Sequence, residues 1–161
     1  MESQQETVTD SLPEKNCTRE QLVMDICSIA DYCSTAFYHH RRKAEQQRRS
    51  LTTSFFPKGS IYTDTARLDL VLEKVFSNAI TSAPIDSNIH MEVTFFAGQL
   101  TIIITHNTCE HFPENRLQEI FQPADSTSLY SCQQTIQLLG GAISASCTSS
   151  TCSIAIRLPA V

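Results

Sequence analysis

Histidine and cysteine side chains form the densest group of residues that could do chemistry. His106, Cys109 and His111 follow a His-x-x-Cys-x-His pattern, and Cys147 and Cys152 lie further along the chain. Zinc prefers imidazole and thiolate ligands, and a structural zinc site needs four of them. These spacings match no common zinc motif, and a Cys109 nucleophile would lack an orienting group and oxyanion donors. The favoured interpretation of these residues is therefore that they are surface or half-buried side chains without a metal or a catalytic role.

A second set of polar residues lies on one flank of an amphipathic segment, Asp64 to Pro84. At helical spacing this segment has an apolar stripe, consisting of Leu68, Val71, Leu72, Val75, Phe76, Ala79 and Ala83. Asp64 can cap the helix and Pro84 ends it. The polar row beside the stripe consists of Arg67, Lys74, Asn78 and Thr81. For Asn78 taken alone, a solvated or locally bonded amide is the favoured interpretation, and the alternative is a side chain that faces sideways into a pocket.

Composition and charge exclude several classes of function. The net charge of −5 offers no general attraction to nucleic acid. The chain has no apolar run of about 18 residues and no apolar signal region at its acidic N-terminus, so we expect no membrane span and a cytoplasmic location. An odd count of seven cysteines without a secretory signal argues against a disulfide framework.

Basic residues are concentrated in one segment, which contains Arg41, Arg42, Lys43, Arg48 and Arg49 next to His39 and His40. This segment falls at the end of the first predicted helix, where positive charge suits the helix dipole. A solvated helix end is the favoured interpretation. An acidic or phosphate-bearing partner is the alternative.

The remaining periodicities predict one domain over residues 19–161, after a polar and disordered segment at residues 1–18. The predicted elements are a helix at 19–47, strands at 50–56 and 60–63, the helix at 64–84, strands at 90–96 and 100–105, a short helix at 114–120, a helix at 129–139, and strands at 142–147 and 152–158. Strand pairs separated by helices predict an α+β fold: a two-layer α/β sandwich, with a mixed β-sheet and helices on one face. The apolar strand at 100–105 is expected to be central.

Four segments occur in a recognisable order: DTARLDLVLEKVFSNAI at 64–80, LTIIIT with PENRLQEIFQP at 100–105 and 113–123, QQTIQLLGGAI at 133–143, and IAIRLP at 154–159. In this order they resemble the ATP-binding domain of sensor histidine kinases. That domain is a Bergerat-type fold of the GHKL group, which also includes gyrase, chaperone and mismatch-repair ATPases. The first segment is similar to the Asn-box helix and the second to the first Gly-box region. The resemblance covers residues 22–159 and implies the histidine kinase ATPase-like fold.

The resemblance also implies roles for individual positions. Asn78 matches the Asn that ligates Mg²⁺ on the nucleotide phosphates, while Lys74 and Thr81 replace the other polar residues of that box. Counted without a gap, Asn107 takes the place of the Asp that accepts from adenine. Cys109 and His111 replace the two glycines of the first Gly box. The second Gly box aligns with residues 126–128, where Ser126 and Ser128 could still offer hydroxyl groups.

The chain has no glycine between Gly98 and Gly140, where the family builds its mobile lid. The resemblance therefore implies a retained fold with a degraded ATP site: a non-catalytic signalling module of the two-component type that acts through a protein partner. The basic segment or residues 107–128 would form the partner surface, and a homodimer through the first helix is left open. The family's phosphoacceptor hairpin is not visible, which disfavours His39 or His40 as an acceptor and also disfavours a phosphotransfer protein. The alternative is a divergent Mg-ATP or Mg-ADP binder that uses Asn78, Asn107, Lys74, Thr81, Ser126 and Ser128.

Overall fold

The computed structural model of the chain describes residues 21–108, 117, 119–123 and 128–160. Its elements, in chain order, are β1 (Asp25–Ser28), α1 (Ile29–Gln46), β2 (Ser50–Thr53), β3 (Ser60–Thr63), α2 (Thr65–Ser82), β4 (Asn88–Phe96), β5 (Gln99–Asn107), α3 (Tyr130–Leu138), β6 (Ala142–Cys147) and β7 (Thr151–Pro159). The segments predicted at residues 1–18 and for most of 114–120 lie outside the described residues.

Five strands form a mixed sheet in the order β2-β4-β5-β7-β6. The β2–β4 pair is parallel and the other three pairs are antiparallel. β5 lies in the middle, as its apolar sequence predicts. Alternate residues of β4, β5 and β7 are buried on the face that the helices cover. The predicted two-layer α+β architecture is confirmed.

α2 forms the centre of the helical layer, and its predicted bounds are confirmed. Its buried residues are Leu68, Val71, Leu72, Val75, Phe76, Ala79 and Ile80. The Asp64 side chain accepts a hydrogen bond from the Arg67 amide at 3.2 Å and so caps the first turn. The apolar stripe that the sequence predicts therefore packs into the core, and the polar flank is left at the edges of the helix.

The prediction of one long helix from residue 19 is wrong at its start. Residues 25–28 form β1, which pairs with β3 in a separate two-stranded antiparallel sheet. Helix α1 begins only after Ser28, whose hydroxyl accepts a hydrogen bond from the Asp31 amide. Ile26, an apolar residue at helical spacing, is 70% exposed on this strand. Periodicity alone could not show that β3 competes for this segment.

Two loops follow the turn chemistry of their sequences. At the β4–β5 hairpin, Ala97 and Gly98 both have positive φ, of 51° and 73°, as two-residue hairpin turns require. After α3, Gly140 has a φ of 82°, and a Cβ on Gly141 would lie 2.1 Å from the Arg157 carbonyl oxygen. The helix predicted at 129–139 therefore ends at this Gly-Gly pair. The strand predicted at 50–56 ends at Thr53, before the exposed Phe55.

Among the helices that the structure describes, none is both long and apolar enough to span a membrane.

Candidate functional site

A small cavity, here called the narrow cavity, lies between α2 and the ends of β5, β6 and β7. Its lining residues are Asn78, Ser82, His106, Ile120, Ala145, Cys147, Cys152, Ser153 and Ile154. The cavity volume is about 30 Å³. One water needs about 10–15 Å³ on this measure, whereas sites for small organic ligands run to roughly 300–1,000 Å³. The described walls leave room for about two waters.

Asn78 lines this cavity. Its side chain is half-buried on the last turns of α2. The Ser82 hydroxyl, one turn further on, donates to Asn78 Oδ1 over a long distance of 3.4 Å. The amide is therefore locally bonded, and it keeps most of its hydrogen-bonding capacity.

The strand alternation of β5 brings His106, rather than Asn107, to the cavity. His106 is buried, and Asn107 points the other way and is exposed. The Asn107 side-chain oxygen instead accepts from the Thr151 hydroxyl at 3.5 Å. Counting without a gap from the downstream motif had matched Asn107 to the adenine-binding position. The inward series Leu100, Ile102, Ile104 and His106 is the signal that could have selected His106.

His106 is a neutral side chain near pH 7. Burial lowers the pKa of its imidazole. Its Nδ1 donates to the carbonyl oxygen of Asn107 at 2.8 Å, so the proton lies on Nδ1 and Nε2 carries the lone pair. His106 thus offers the cavity a neutral ring.

A disulfide between Cys147 and Cys152 forms another wall of the cavity. The two cysteines are directly opposite each other in the β6–β7 ladder, with Cα atoms 4.1 Å apart. The argument from the cysteine count against a disulfide framework did not anticipate this single bond. The total count says nothing about one pair, whereas the register of one hairpin decides whether that pair can meet.

Two other residues of the predicted polar row, Lys74 and Thr81, lie apart from Asn78. Lys74 lies near α3, where its positive charge partly opposes the rise in the pKa of the Cys132 thiol that burial causes. Thr81 is exposed and lines a different groove together with Lys43 and Ser77. Neither Lys74 nor Thr81 lines the narrow cavity. The structure therefore does not bring them together with Asn78 around one pocket.

Ser128 has a structural role at the start of α3. Its buried hydroxyl donates to the Gln122 carbonyl oxygen and accepts from the Tyr130 amide, the latter at 3.1 Å. These bonds occupy the hydroxyl that the resemblance made available to phosphate. Ser126, Cys109 and His111 lie outside the described residues.

Most cations of the basic segment contact neighbouring parts of the chain. Arg41 pairs with Glu45 at 3.0 Å and Arg48 with Asp86 at 2.8 Å. The Arg49 guanidinium donates to the Ala83 carbonyl oxygen at 2.8 Å. These partners favour the interpretation of the segment as a helix end and loop fastened to α2, and they weaken the case for a surface that waits for an acidic partner.

A much larger depression, here called the wide groove, lies between α1 and α2 on another side of α2. Its volume is about 670 Å³, and its lining residues are Cys27, Ser28, Asp31, Tyr32, Thr35, Ala36, His39, His40, Thr65, Asp69 and Glu73. His39, His40 and Glu73 meet here with their ligand atoms within 4.8 Å of one another. The sequence suggested for these histidines a place beside the basic segment and a disfavoured role as phosphoacceptors, and it gave no signal that they meet Glu73.

Residues 63–161 match the family described as histidine kinase-, DNA gyrase B- and HSP90-like ATPase. No curated protein is similar enough in sequence to match.

Solved structures of histidine kinases share the fold. The catalytic domain of histidine kinase ThkA, in a nucleotide-free form, superposes with a TM-score of 0.74 at 16% identity, over 85% of this chain and 95% of that domain. Acinetobacter baumannii histidine kinase AdeS superposes with a TM-score of 0.70 at 15% identity, over 87% of this chain and 68% of that chain. Histidine kinase ThkA in complex with the response regulator protein TrrA superposes with a TM-score of 0.73 at 16% identity, over 86% of this chain and 42% of that chain.

Proposed function

Because the chain belongs to the histidine kinase-, DNA gyrase B- and HSP90-like ATPase family, we propose that it is a member that works without nucleotide. In this proposal it is a non-catalytic module of two-component-type signalling that acts through protein contacts. The retained scaffold presents surfaces to a partner, and Asn78 is a remnant of the family's ATP chemistry.

The size of the narrow cavity carries this proposal. Its volume of about 30 Å³ is roughly a tenth of what the smallest ordinary ligand sites enclose. The imidazole of His106 and the Cys147–Cys152 disulfide take up space beside Asn78. The described residues therefore do not fit a purine nucleotide, and we derive no reaction step through one.

The chemistry of the retained side chains supports the same proposal. Asn78 could ligate Mg²⁺ only together with phosphate oxygens. Two residues that the resemblance places in the nucleotide site lie elsewhere, because Thr81 faces another groove and Ser128 lies at the start of α3. A lone amide oxygen is a weak site for a divalent cation.

The proposed partner is another signalling protein. The structure of ThkA with the response regulator TrrA supports a partner of the response-regulator class for this chain also. With most cations of the basic segment internally paired, we expect recognition to use shape and apolar contact more than a field of positive charge. A homodimer through α1 stays a prediction.

Thermal melting with millimolar Mg-ATP or Mg-ADP tests the proposal. A ligand at 100 times its dissociation constant adds about 2.7 kcal/mol to the free energy of unfolding, which is a readily measured shift in Tm. We expect no shift with either nucleotide. A shift that disappears in Asn78→Ala would establish the alternative, a divergent Mg-ATP-binding domain.

Asn107→Ala is the matched control for that experiment, because it removes the same amide from the exposed side of β5. If a nucleotide did bind, loss of the shift in Asn107→Ala as well would support the gap-free alignment. Loss in Asn78→Ala alone would support the register seen in the structure.

A further inference from the structure

The wide groove brings two imidazoles and one carboxylate from two helices to one point. His39 Nε2 lies 3.7 Å from Glu73 Oε2, and His40 Nδ1 lies 4.0 Å from the same oxygen. Ligands at about 2.0–2.1 Å from a tetrahedral zinc ion are about 3.4 Å apart. His39 is exposed and Glu73 is partly exposed, so modest side-chain rotations would close the set around one ion.

His40 lines the wide groove with a largely buried ring. Its exposed fraction is 4%, and the ring stacks on Phe76 with centroids 4.2 Å apart, which fixes its orientation. The polar group that faces Nδ1 is the Glu73 carboxylate, beyond hydrogen-bonding distance. An ion between Nδ1 and this carboxylate would bind both groups.

The hydrogen bonding of Glu73 suits a cation. The Lys43 ammonium donates a hydrogen bond to Glu73 Oε1. This bond leaves Oε2, the oxygen nearest both histidines, for the ion.

Lys43 also repels a cation at this point, and two further carboxylates line the same groove. Asp69, one turn before Glu73 on α2, accepts from the Tyr32 hydroxyl at 2.7 Å. Asp31 lines the groove on the α1 side. Both carboxylates lie outside the proposed ligand set and add negative charge around it.

We propose that His39, His40 and Glu73 bind one divalent transition-metal ion of the zinc class, which joins α1 to α2. Imidazole nitrogen with a single carboxylate selects Zn²⁺, Co²⁺ or Ni²⁺ over Mg²⁺ and Ca²⁺, which prefer oxygen ligands. Three protein ligands leave a fourth position open to water from the wide groove. This site is independent of Asn78 and of any nucleotide.

Titration of the full chain with Co²⁺, followed by displacement with Zn²⁺, tests the proposal. We expect one Co²⁺ per chain with the visible absorption of a tetrahedral nitrogen and oxygen site, without a thiolate charge-transfer band. His39→Ala and Glu73→Gln should each weaken binding at least about tenfold. His39 is exposed, so its variant keeps the fold. Glu45→Gln is the control, because it removes an exposed carboxylate from the same helix, away from the cluster.

A third variant should move the affinity in the opposite direction. Lys43→Met removes the competing ammonium and should tighten Co²⁺ binding by roughly threefold. The proposal is overturned if the chain binds no Co²⁺, or if binding is unchanged in both His39→Ala and Glu73→Gln. It is also overturned if a thiolate band shows that Cys27 or another cysteine holds the ion.

Discussion

The narrow cavity and the wide groove lie along the same helix, α2, and differ in almost every respect. The narrow cavity is lined by Asn78, has about 30 Å³ and is walled by a disulfide and a neutral histidine. The wide groove has about 670 Å³ and gathers two histidines and a carboxylate. Under the proposed function the family scaffold is kept while the nucleotide chemistry of the narrow cavity is lost, so the two regions should respond differently to mutation.

Phe76→Ala should have the largest effect, on the side of the wide groove. Phe76 is fully buried on α2 and supports the ring of His40. Its truncation should lower the free energy of unfolding by about 3–5 kcal/mol, measured by urea denaturation, and should weaken Co²⁺ binding. Leu70→Ala, on the same helix but 72% exposed, should change stability by less than about 0.5 kcal/mol. Similar losses in both variants would contradict the assigned packing of α2.

The pH dependence of the free energy of unfolding should report the burial of the neutral His40 ring. Its pKa is about 4 in the folded protein and about 6.5 when unfolded. Stability from the neutral ring is complete above pH 6.5 and is lost as the pH falls towards 4, because the unfolded state then binds the extra proton. Between pH 7.5 and 4.5 this loss is about 2.5 kcal/mol.

His40→Phe keeps the stacking on Phe76 and removes the titration, so urea denaturation across this range should show a shallower slope. Part of the slope should persist, because burial also lowers the pKa of His106 in the narrow cavity. An unchanged slope in His40→Phe would show that the ring is solvated and that the wide groove is not built as described.

Reduction of the Cys147–Cys152 disulfide, which forms a wall of the narrow cavity, should lower the stability of the chain. A bond across a sequence separation of 5 closes a short loop, for which chain entropy predicts about 2 kcal/mol. We expect dithiothreitol to lower the Tm of the wild-type chain. The Cys147→Ser/Cys152→Ser double variant should melt at the reduced value and should not respond to reductant. A wild-type chain that also ignores reductant would mean that these cysteines are not paired.

Asn78→Ala should have the smallest effect. The side chain is half-buried and makes one long hydrogen bond, with Ser82. We expect the free energy of unfolding to change by less than about 0.5 kcal/mol. If Asn78→Ala lowered the free energy of unfolding by more than about 1.5 kcal/mol relative to the exposed control Asn107→Ala, Asn78 would have to stabilise the fold through contacts in the narrow cavity.

The fold could be predicted from the sequence where local patterns agree with the tertiary structure. The stripe of α2, the Ala97-Gly98 hairpin turn and the Gly140-Gly141 stop are of this kind. The strand at residues 25–28 could not, because it depends on pairing with β3, far along the chain.

The candidate site was less predictable, because its residues depend on register and on contacts between helices. A shift of one position along β5 exchanges Asn107 for His106. The Cys147–Cys152 pair depends on the register of one hairpin. The meeting of His39 and His40 with Glu73 depends on how α1 packs against α2, for which a single sequence gives no signal.

Calorimetric titration of Mg-ADP into the chain, before and after reduction of the disulfide, tests whether the narrow cavity excludes nucleotide. We expect no saturable heat in either state, because His106 and the remaining walls fill the narrow cavity even when Cys147 and Cys152 are reduced. Saturable binding in either state that is abolished by Asn78→Ala would contradict it and would restore the chain to the nucleotide-binding members of its family.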